Sequence, residues 1–250
     1  MSTIKSMQDL LLFRAFSSIL KLNKVKVGET AMTQFQFKNQ ENPSLRQKVA
    51  SDIRNAIIHG DLKSGDKLKE LEISEQMKIS RGPIREAFRD LEAMGLVVCS
   101  PYRETVVADV QKEEIVDLLI PIRLQLELYA IKYNLDKWDD AWFDVLDSIV
   151  AKMTILAAEN DLFMLIEEDI RFHEHLLAFS ESSYTLQIWA SIVNRLRLHF
   201  IKNTQKFTDL NQVPRDHVVL VEALKGKNFE LISTAWTQHI HNEDCLLCFS

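Results

Sequence analysis

Residues 79–88 of the chain read Ile-Ser-Arg-Gly-Pro-Ile-Arg-Glu-Ala-Phe, and this stretch decides the fold of the part around it. Ser80 can accept hydrogen bonds from the free N–H groups of a first helical turn, and that turn also tolerates Pro83. Gly95 is expected to end the helix. Helical spacing predicts that the apolar side chains face a core, and these are Ile84, Phe88, Leu91 and Met94. The stretch is typical of the second helix of a helix-turn-helix.

The arginines of this helix are candidates for contact with DNA. Arg81 and Arg85 lie near its N-terminal end, which is the part of a recognition helix that meets base edges in the major groove. Gly82 allows the backbone to approach a ligand closely. The predicted DNA-binding residues are Ser80, Arg81, Gly82, Arg85, Arg89 and Arg103. The local pattern alone leaves open a second interpretation, a small helical subdomain with surface arginines.

The flanking segments fit a winged helix-turn-helix. An amphipathic helix that ends at Gly60 is predicted from the spacing of Leu45, Val49, Ile53 and Ile57. A short helix is predicted from Glu70 to Lys78. The β-branched runs at 96–98 and 105–107 predict a two-stranded wing.

A known family shares this arrangement. Residues 49–97 read VASDIRNAIIHGDLKSGDKLKELEISEQMKISRGPIREAFRDLEAMGLV and resemble the winged helix-turn-helix of the GntR family of bacterial transcription regulators. The shared pattern is a lead of the form I..G.L..G..L.E, followed by S-R-x-P-[IV]-R-E-A-[LF]-R-x-L-E-x-x-G-L-V. Two positions depart from it, because Ser64 stands where the family usually has Pro and Glu104 where many members have Gly. The resemblance implies a regulator whose partner is double-stranded DNA.

Charge divides the chain into parts with different roles. Residues 43–107 hold eleven Lys and Arg against ten Asp and Glu, whereas residues 108–250 hold thirteen against twenty-three. Phosphates would repel the acidic part, so DNA contact is expected from the weakly basic part, through a few placed arginines and binding as a dimer. We therefore predict a winged helix-turn-helix domain over 43–108 and an effector and dimerisation domain over 109–250.

Composition narrows the class of protein. Six glycines and five prolines in 250 residues favour a mostly helical chain, and three cysteines argue against an extracellular disulfide scaffold. The lone C-x-x-C of Cys245 and Cys248 is expected to lie on one helix face, and a metal or redox role for it is the less favoured interpretation. No apolar run reaches transmembrane length, so a cytoplasmic protein is expected. Residues 1–42 are interpreted as a tail, with the natural start at Met32, or as an arm that packs on a partner subunit.

The C-terminal half is predicted to be an all-α bundle of about six helices. Periodic apolar segments that are separated by short polar breaks cover residues 111–134, 138–159, 161–179, 184–206, 213–225 and 228–247. The predicted fold class is therefore mainly α, with an N-terminal winged helix-turn-helix and a C-terminal helical bundle.

The histidines of the bundle carry the candidate chemistry. Asp169 and His173 are four residues apart and project from the same helix face, while His217 and His239 lie on later helices. One carboxylate and three imidazoles that converge would suit zinc, nickel or manganese. A single histidine is more often a hydrogen-bonded core or surface residue, and we assign the remaining bundle and N-terminal histidines this way, namely His59, His175, His199 and His241.

The same half resembles the all-helical FCD ligand domain of FadR-type GntR regulators. The signature there is D-x-x-F-H, a His in the next-to-last helix, and a last His about 22 residues later, which Asp169, His173, His217 and His239 match. The resemblance implies that these four residues bind a divalent metal. It also implies that Arg123, in an R-x-x-x-E segment, can meet an effector carboxylate. Asn194 or Arg195 could also line the cavity. One departure is Ser180-Glu181-Ser182, where the family usually has S-G-N.

These observations together predict a metal-dependent transcription regulator that responds to a small organic acid and binds a palindromic operator as a homodimer. Three alternatives remain at this point. The metal could have a purely structural role in the bundle, or the metal site could be catalytic with an open coordination position. The chain could also be a structural dimer adaptor that does not bind DNA. The second is disfavoured because no general base or nucleophile adjoins the site.

Overall fold

A computed structural model describes residues 43–100, 104–179, 183–204 and 206–249. The interpretation of residues 1–42 and the DNA contact predicted for Arg103 both lie outside these ranges. The N-terminal part comprises α1 (Leu45–Ile58), β1 (Lys67–Leu68), α2 (Glu70–Met77), α3 (Arg81–Ala93), β2 (Val97–Val98) and β3 (Thr105–Val107). This is the predicted winged helix-turn-helix with one additional strand.

Local sequence signals explain where the helices begin and end. α1 starts with a capping box, in which the Ser44 hydroxyl accepts from the backbone N–H of Gln47 and the Gln47 side chain accepts from the N–H of Ser44. α3 stops before Gly95, whose φ of +71° belongs to the left-handed region. Ser80 is the N-cap residue as predicted. Among the residues that the structure describes, however, its hydroxyl accepts no capping hydrogen bond.

A small core joins the three helices of the N-terminal part. Ile84, Phe88 and Leu91 of α3 are buried as predicted. The prediction for Met94 was wrong, because this residue is the C-cap of α3 and is 39% exposed, while Ala87 fills the face instead. At the C-cap the chain already turns toward Gly95, so helical spacing no longer decides where the side chain lies.

The sheet has three antiparallel strands rather than the predicted two, in the order β1-β3-β2. Lys67 is opposite Val106 on one side of β3, and Val98 is opposite Val106 on the other. β1 was missed because a strand of two residues, of which only Leu68 is buried, is too short to show alternation.

The C-terminal part is the predicted helical bundle. Its helices are α4 (Ile120–Asn134), α5 (Asp140–Ala158), α6 (Leu162–Ala178), α7 (Ser183–Thr204), α8 (Gln212–Lys225) and α9 (Phe229–Ile240). A π-helical turn, Glu114–Leu119, leads into α4. α9 ends at Ile240, and a 3-10 segment, Glu243–Phe249, follows it. None of the helices in the described ranges has both the length and the apolar character of a membrane span.

α7 holds the bundle against the N-terminal part. The guanidinium of Arg195 donates to the backbone oxygens of Gly95, at 3.0 Å, and Asp109, at 2.6 Å, and pairs with the Glu114 carboxylate. One turn further on, Leu198 packs against the apolar clusters of both parts. The fold class predicted from the sequence is confirmed.

Candidate metal centre and DNA-binding helix

The structure brings the four predicted metal ligands together. Asp169 and His173 lie one turn apart on α6, His217 lies on α8 and His239 on α9. One ligand atom from each residue lies within 4.8 Å of those of the other three. His173 and His217 are fully buried, so the cluster belongs to the interior of the bundle. Whether these residues bind a metal remains a prediction.

The partners of two imidazoles determine where their protons lie. Nδ1 of His173 is 2.7 Å from Oε2 of Glu127, and Nδ1 of His217 is 2.8 Å from the backbone oxygen of Val213. A carboxylate and a carbonyl can only accept, so each Nδ1 donates and each Nε2 keeps its lone pair. These lone pairs are the ones that a metal would use, and the outer hydrogen bonds fix the orientation of the rings.

Glu127 connects this centre to the rest of the bundle. Its fully buried carboxylate accepts from His173, from Nε1 of Trp236 at 2.7 Å and from Nε of Arg123 at 2.9 Å. Burial by itself raises the pKa of Glu127, but the charges of His173 and Arg123 and the hydrogen bonds outweigh it and lower the pKa to about 2. The sequence placed Glu127 in an R-x-x-x-E segment without revealing this role, because its partners come from α6 and α9.

The surroundings of the site favour neutral forms of His173 and His239 and the ionised form of Asp169. Desolvation, followed by the charge of Arg123, lowers the pKa of His173. The pKa of His239 is lowered further, by desolvation and then by the neighbouring His217 and His173. Burial raises the pKa of Asp169, but the neighbouring His217, whose Nε2 lies 3.2 Å from Oδ1, prevails and lowers it. Neutral imidazoles and an ionised carboxylate are the forms that bind metals.

The donor set fits a divalent ion of borderline softness. It offers three imidazole nitrogens and one carboxylate oxygen, which zinc, nickel and manganese accept. Nε2 of His217 is buried and lies 3.2 Å from Oδ1 of Asp169 without the alignment of a hydrogen bond. Within the described part of the chain this nitrogen has no hydrogen-bond partner, which is costly unless another group uses its lone pair.

A cavity of about 400 Å³ opens beside the cluster. Asp169, His217 and His239 line it, as does the predicted effector residue Arg123. Asn194 and Arg195 do not reach it, which corrects the expectation for both. Asn194 accepts from Arg197 at 2.7 Å, and Arg195 points to Glu114 and the N-terminal part. Residues that the sequence did not suggest also line the cavity, namely Phe200, Asn203, Gln212 and Asn242.

The predicted DNA-binding residues of α3 share an exposed surface. Arg81, Gly82, Arg85 and Arg89 are all exposed. Nε of Arg85 lies 2.9 Å from the Glu70 carboxylate and Arg89 pairs with Glu86, both through ion pairs at the surface. No heavy atom lies within 4 Å of a Cβ added at Gly82, so the start of the helix is open to a ligand. DNA contact by these residues remains a prediction.

Comparison with known proteins identifies both parts. Residues 45–107 match the family described as bacterial regulatory proteins, gntR family, and residues 118–242 match the FCD domain. The chain is 27% identical over 199 residues to the "Probable D-xylose utilization operon transcriptional repressor" of Paenarthrobacter nicotinovorans, across 78% of this chain and 87% of that one.

Two further likenesses agree with these matches. The gluconate operon transcriptional repressor of Bacillus licheniformis is 26% identical over 194 residues, which cover 74% of this chain and 77% of the repressor. The solved structure of E. coli McbR/YncC superposes with a TM-score of 0.68 at 20% identity, over 82% of this chain and 98% of that one, which supports the fold. The matched families and relatives are regulators and not enzymes. The chain belongs to the gntR family of bacterial regulatory proteins and is a DNA-binding transcriptional regulator with an FCD domain.

Proposed function

We propose that this regulator is metal-dependent, that it responds to a small carboxylate and that it acts as a homodimer on a palindromic operator. The observation that carries the proposal is the position of the ligand cluster, which forms one wall of a cavity that also contains the guanidinium of Arg123. A metal bound by Asp169, His173, His217 and His239 would supply a Lewis acid for a carboxylate oxygen. Arg123 can then bind the same carboxylate through charge-assisted hydrogen bonds.

Three amide side chains within the largely apolar lining of the cavity would suit a small ligand that carries hydroxyl groups. Asn203, Gln212 and Asn242 offer amide donors and acceptors, which suit hydroxyl groups better than an aliphatic chain. One relative is named as the repressor of a gluconate operon, and gluconate is a hydroxycarboxylate. A cavity beside the metal ligands favours a sensing role for the metal over a purely structural one.

DNA recognition is assigned to α3. Arg81 and Arg85 lie within its first two turns, where a recognition helix meets base edges, and Gly82 leaves room for a close approach. Ser80 and Arg89 would contact the DNA phosphate backbone on either side of the bases that Arg81 and Arg85 meet. One such helix reads one half-site, so a two-fold dimer is needed for a palindrome.

Metal content of the purified protein tests the proposal directly. We expect one divalent ion per chain by elemental analysis and its loss in His217→Ala. His175→Ala is the matched control, because His175 lies on α6 but stacks on Trp142 with ring centroids 4.9 Å apart and is not one of the four ligands. Metal that is absent from the wild type, or retained equally in both variants, would contradict the proposed site.

A further inference from the structure

Arg123 contacts the atom that a metal would need. Its Nη2 lies 2.6 Å from Nε2 of His173. Nδ1 of His173 carries the proton, because it donates to the Glu127 carboxylate. The guanidinium has no acceptor, so in this contact it is the donor and the single lone pair of Nε2 accepts.

A metal and the guanidinium therefore exclude each other at His173. A neutral imidazole has only one in-plane lone pair, so Nε2 of His173 can accept from Arg123 or bind a metal, but not both. Any metal that uses His173 must first break the hydrogen bond from Arg123.

The surroundings of Arg123 determine where its guanidinium can go. Nε donates to Oε1 of Glu127, one turn along α4, so the Glu127 and His173 contacts hold the same planar group. The guanidinium carbon lies 5.3 Å from the centre of the Phe200 ring, and both residues line the cavity. A rotation about the Cδ–Nε bond would move Nε–H and the outer nitrogens together, away from Glu127 and His173 and toward the cavity.

We propose that Arg123 is an internal competitor for the metal, and that metal binding at His173 releases its guanidinium into the cavity, where it binds the effector carboxylate. This inference rests on the proposed metal and effector site. It explains why the cationic side chain and the metal ligands can occupy one small site. It also makes metal and carboxylate binding mutually favourable, because each removes Arg123 from His173.

The test is the affinity for Zn²⁺, measured by competition with a chromophoric chelator. Arg123→Gln removes the contact and the charge. Arg123→Lys keeps the charge and can still pair with Glu127, but its ammonium is one bond shorter than the outer guanidinium nitrogens. Lys206→Gln is the matched control, because it removes an exposed cation of the cavity lining that lies elsewhere in the chain.

Competition predicts that both Arg123 variants bind Zn²⁺ about tenfold more tightly, which equals about 1.4 kcal/mol, the lower end for a hydrogen bond to a charged group. Lys206→Gln should stay within about twofold of the wild type, since a screened surface charge contributes little. Tighter binding by Arg123→Gln alone would indicate simple charge repulsion and overturn the proposal, as would unchanged binding by both. If Arg123→Gln does not fold, Arg123→Lys decides. Failure of the wild type to bind Zn²⁺ would instead refute the proposed metal site.

Discussion

Replacing Glu127 with Gln tests how the metal centre is held together. The carboxylate is fully buried and accepts from Arg123, His173 and Trp236. An amide has only one accepting oxygen. If that oxygen takes the place of Oε2, it serves His173 and Trp236, and the NH₂ group then faces the N–H donor of Arg123.

The cost follows from this geometry. Losing one partner of a buried ion pair typically costs about 3–5 kcal/mol, and we expect about 3 kcal/mol because Arg123 also borders the cavity. Removing an outer partner of a ligating histidine typically weakens metal binding by about 10–100-fold. The Gln oxygen can still accept from Nδ1 of His173, so we expect a loss of about tenfold.

The assays are urea unfolding in the presence of a chelator, followed by tryptophan fluorescence, and Zn²⁺ competition at pH 7.5. Chelation separates the stability of the chain from stabilisation by bound metal. Glu168→Gln is the matched control, since Glu168 is equally buried on α6 but pairs with Lys152 and Arg171, which are 41% and 47% exposed. This control should also cost about 3 kcal/mol, since it too removes the charge of a buried carboxylate, but it should leave Zn²⁺ affinity unchanged. Equal Zn²⁺ affinities in the two variants would refute the orienting role of Glu127.

Three further outcomes are expected. The free energy of unfolding should fall as the pH drops below 6.5, because unfolded histidines then take up protons that the half-buried His239, with its lowered pKa, resists. A chelator-treated urea titration that is flat from pH 7.5 to 5.5 would contradict this. If Arg85 reads a base, Arg85→Ala should weaken operator binding by about 1–3 kcal/mol and relax the sequence preference, as measured in a gel-shift series. An equal loss of binding on all sequences would indicate a phosphate contact instead. Gly95→Ala should destabilise the chain by about 2 kcal/mol in thermal unfolding, since φ at Gly95 is +71° and the added Cβ would lie 2.6 Å from Cδ of Arg195. An unchanged melting temperature would show that the turn adapts to the added methyl group.

The sequence predicted those features that depend on local spacing. The periodicity of α3, its end before Gly95 and the helices of the bundle are encoded within short windows, and so is the one-turn separation of Asp169 and His173. The convergence of His217 and His239 on that pair was inferred from a family pattern, because spacing along the chain cannot show which helices are neighbours.

Features that depend on packing between distant segments were not predictable. The two-residue strand β1 exists only because β3 offers it a partner. Arg195 was expected at the cavity, but its helix face meets Gly95 and Glu114, which are about 80 to 100 residues earlier in the chain. Glu127 acquires its role only when α4, α6 and α9 meet around it.

The single helix α7 borders both the cavity and the N-terminal part. Phe200 and Asn203 face the cavity, while Arg195 and Lys202 bind the segment around Asp109 from another side of the same helix. A helix is stiff in torsion, and its side chains lie about 5 Å from its axis. A ligand that turns α7 by about 10° therefore moves the Arg195 guanidinium by about 1 Å, a displacement comparable to the helix shifts of many switching proteins. A rotation of α7 at the cavity would therefore be felt directly at the contacts that Arg195 makes with Gly95 and Asp109 of the N-terminal part.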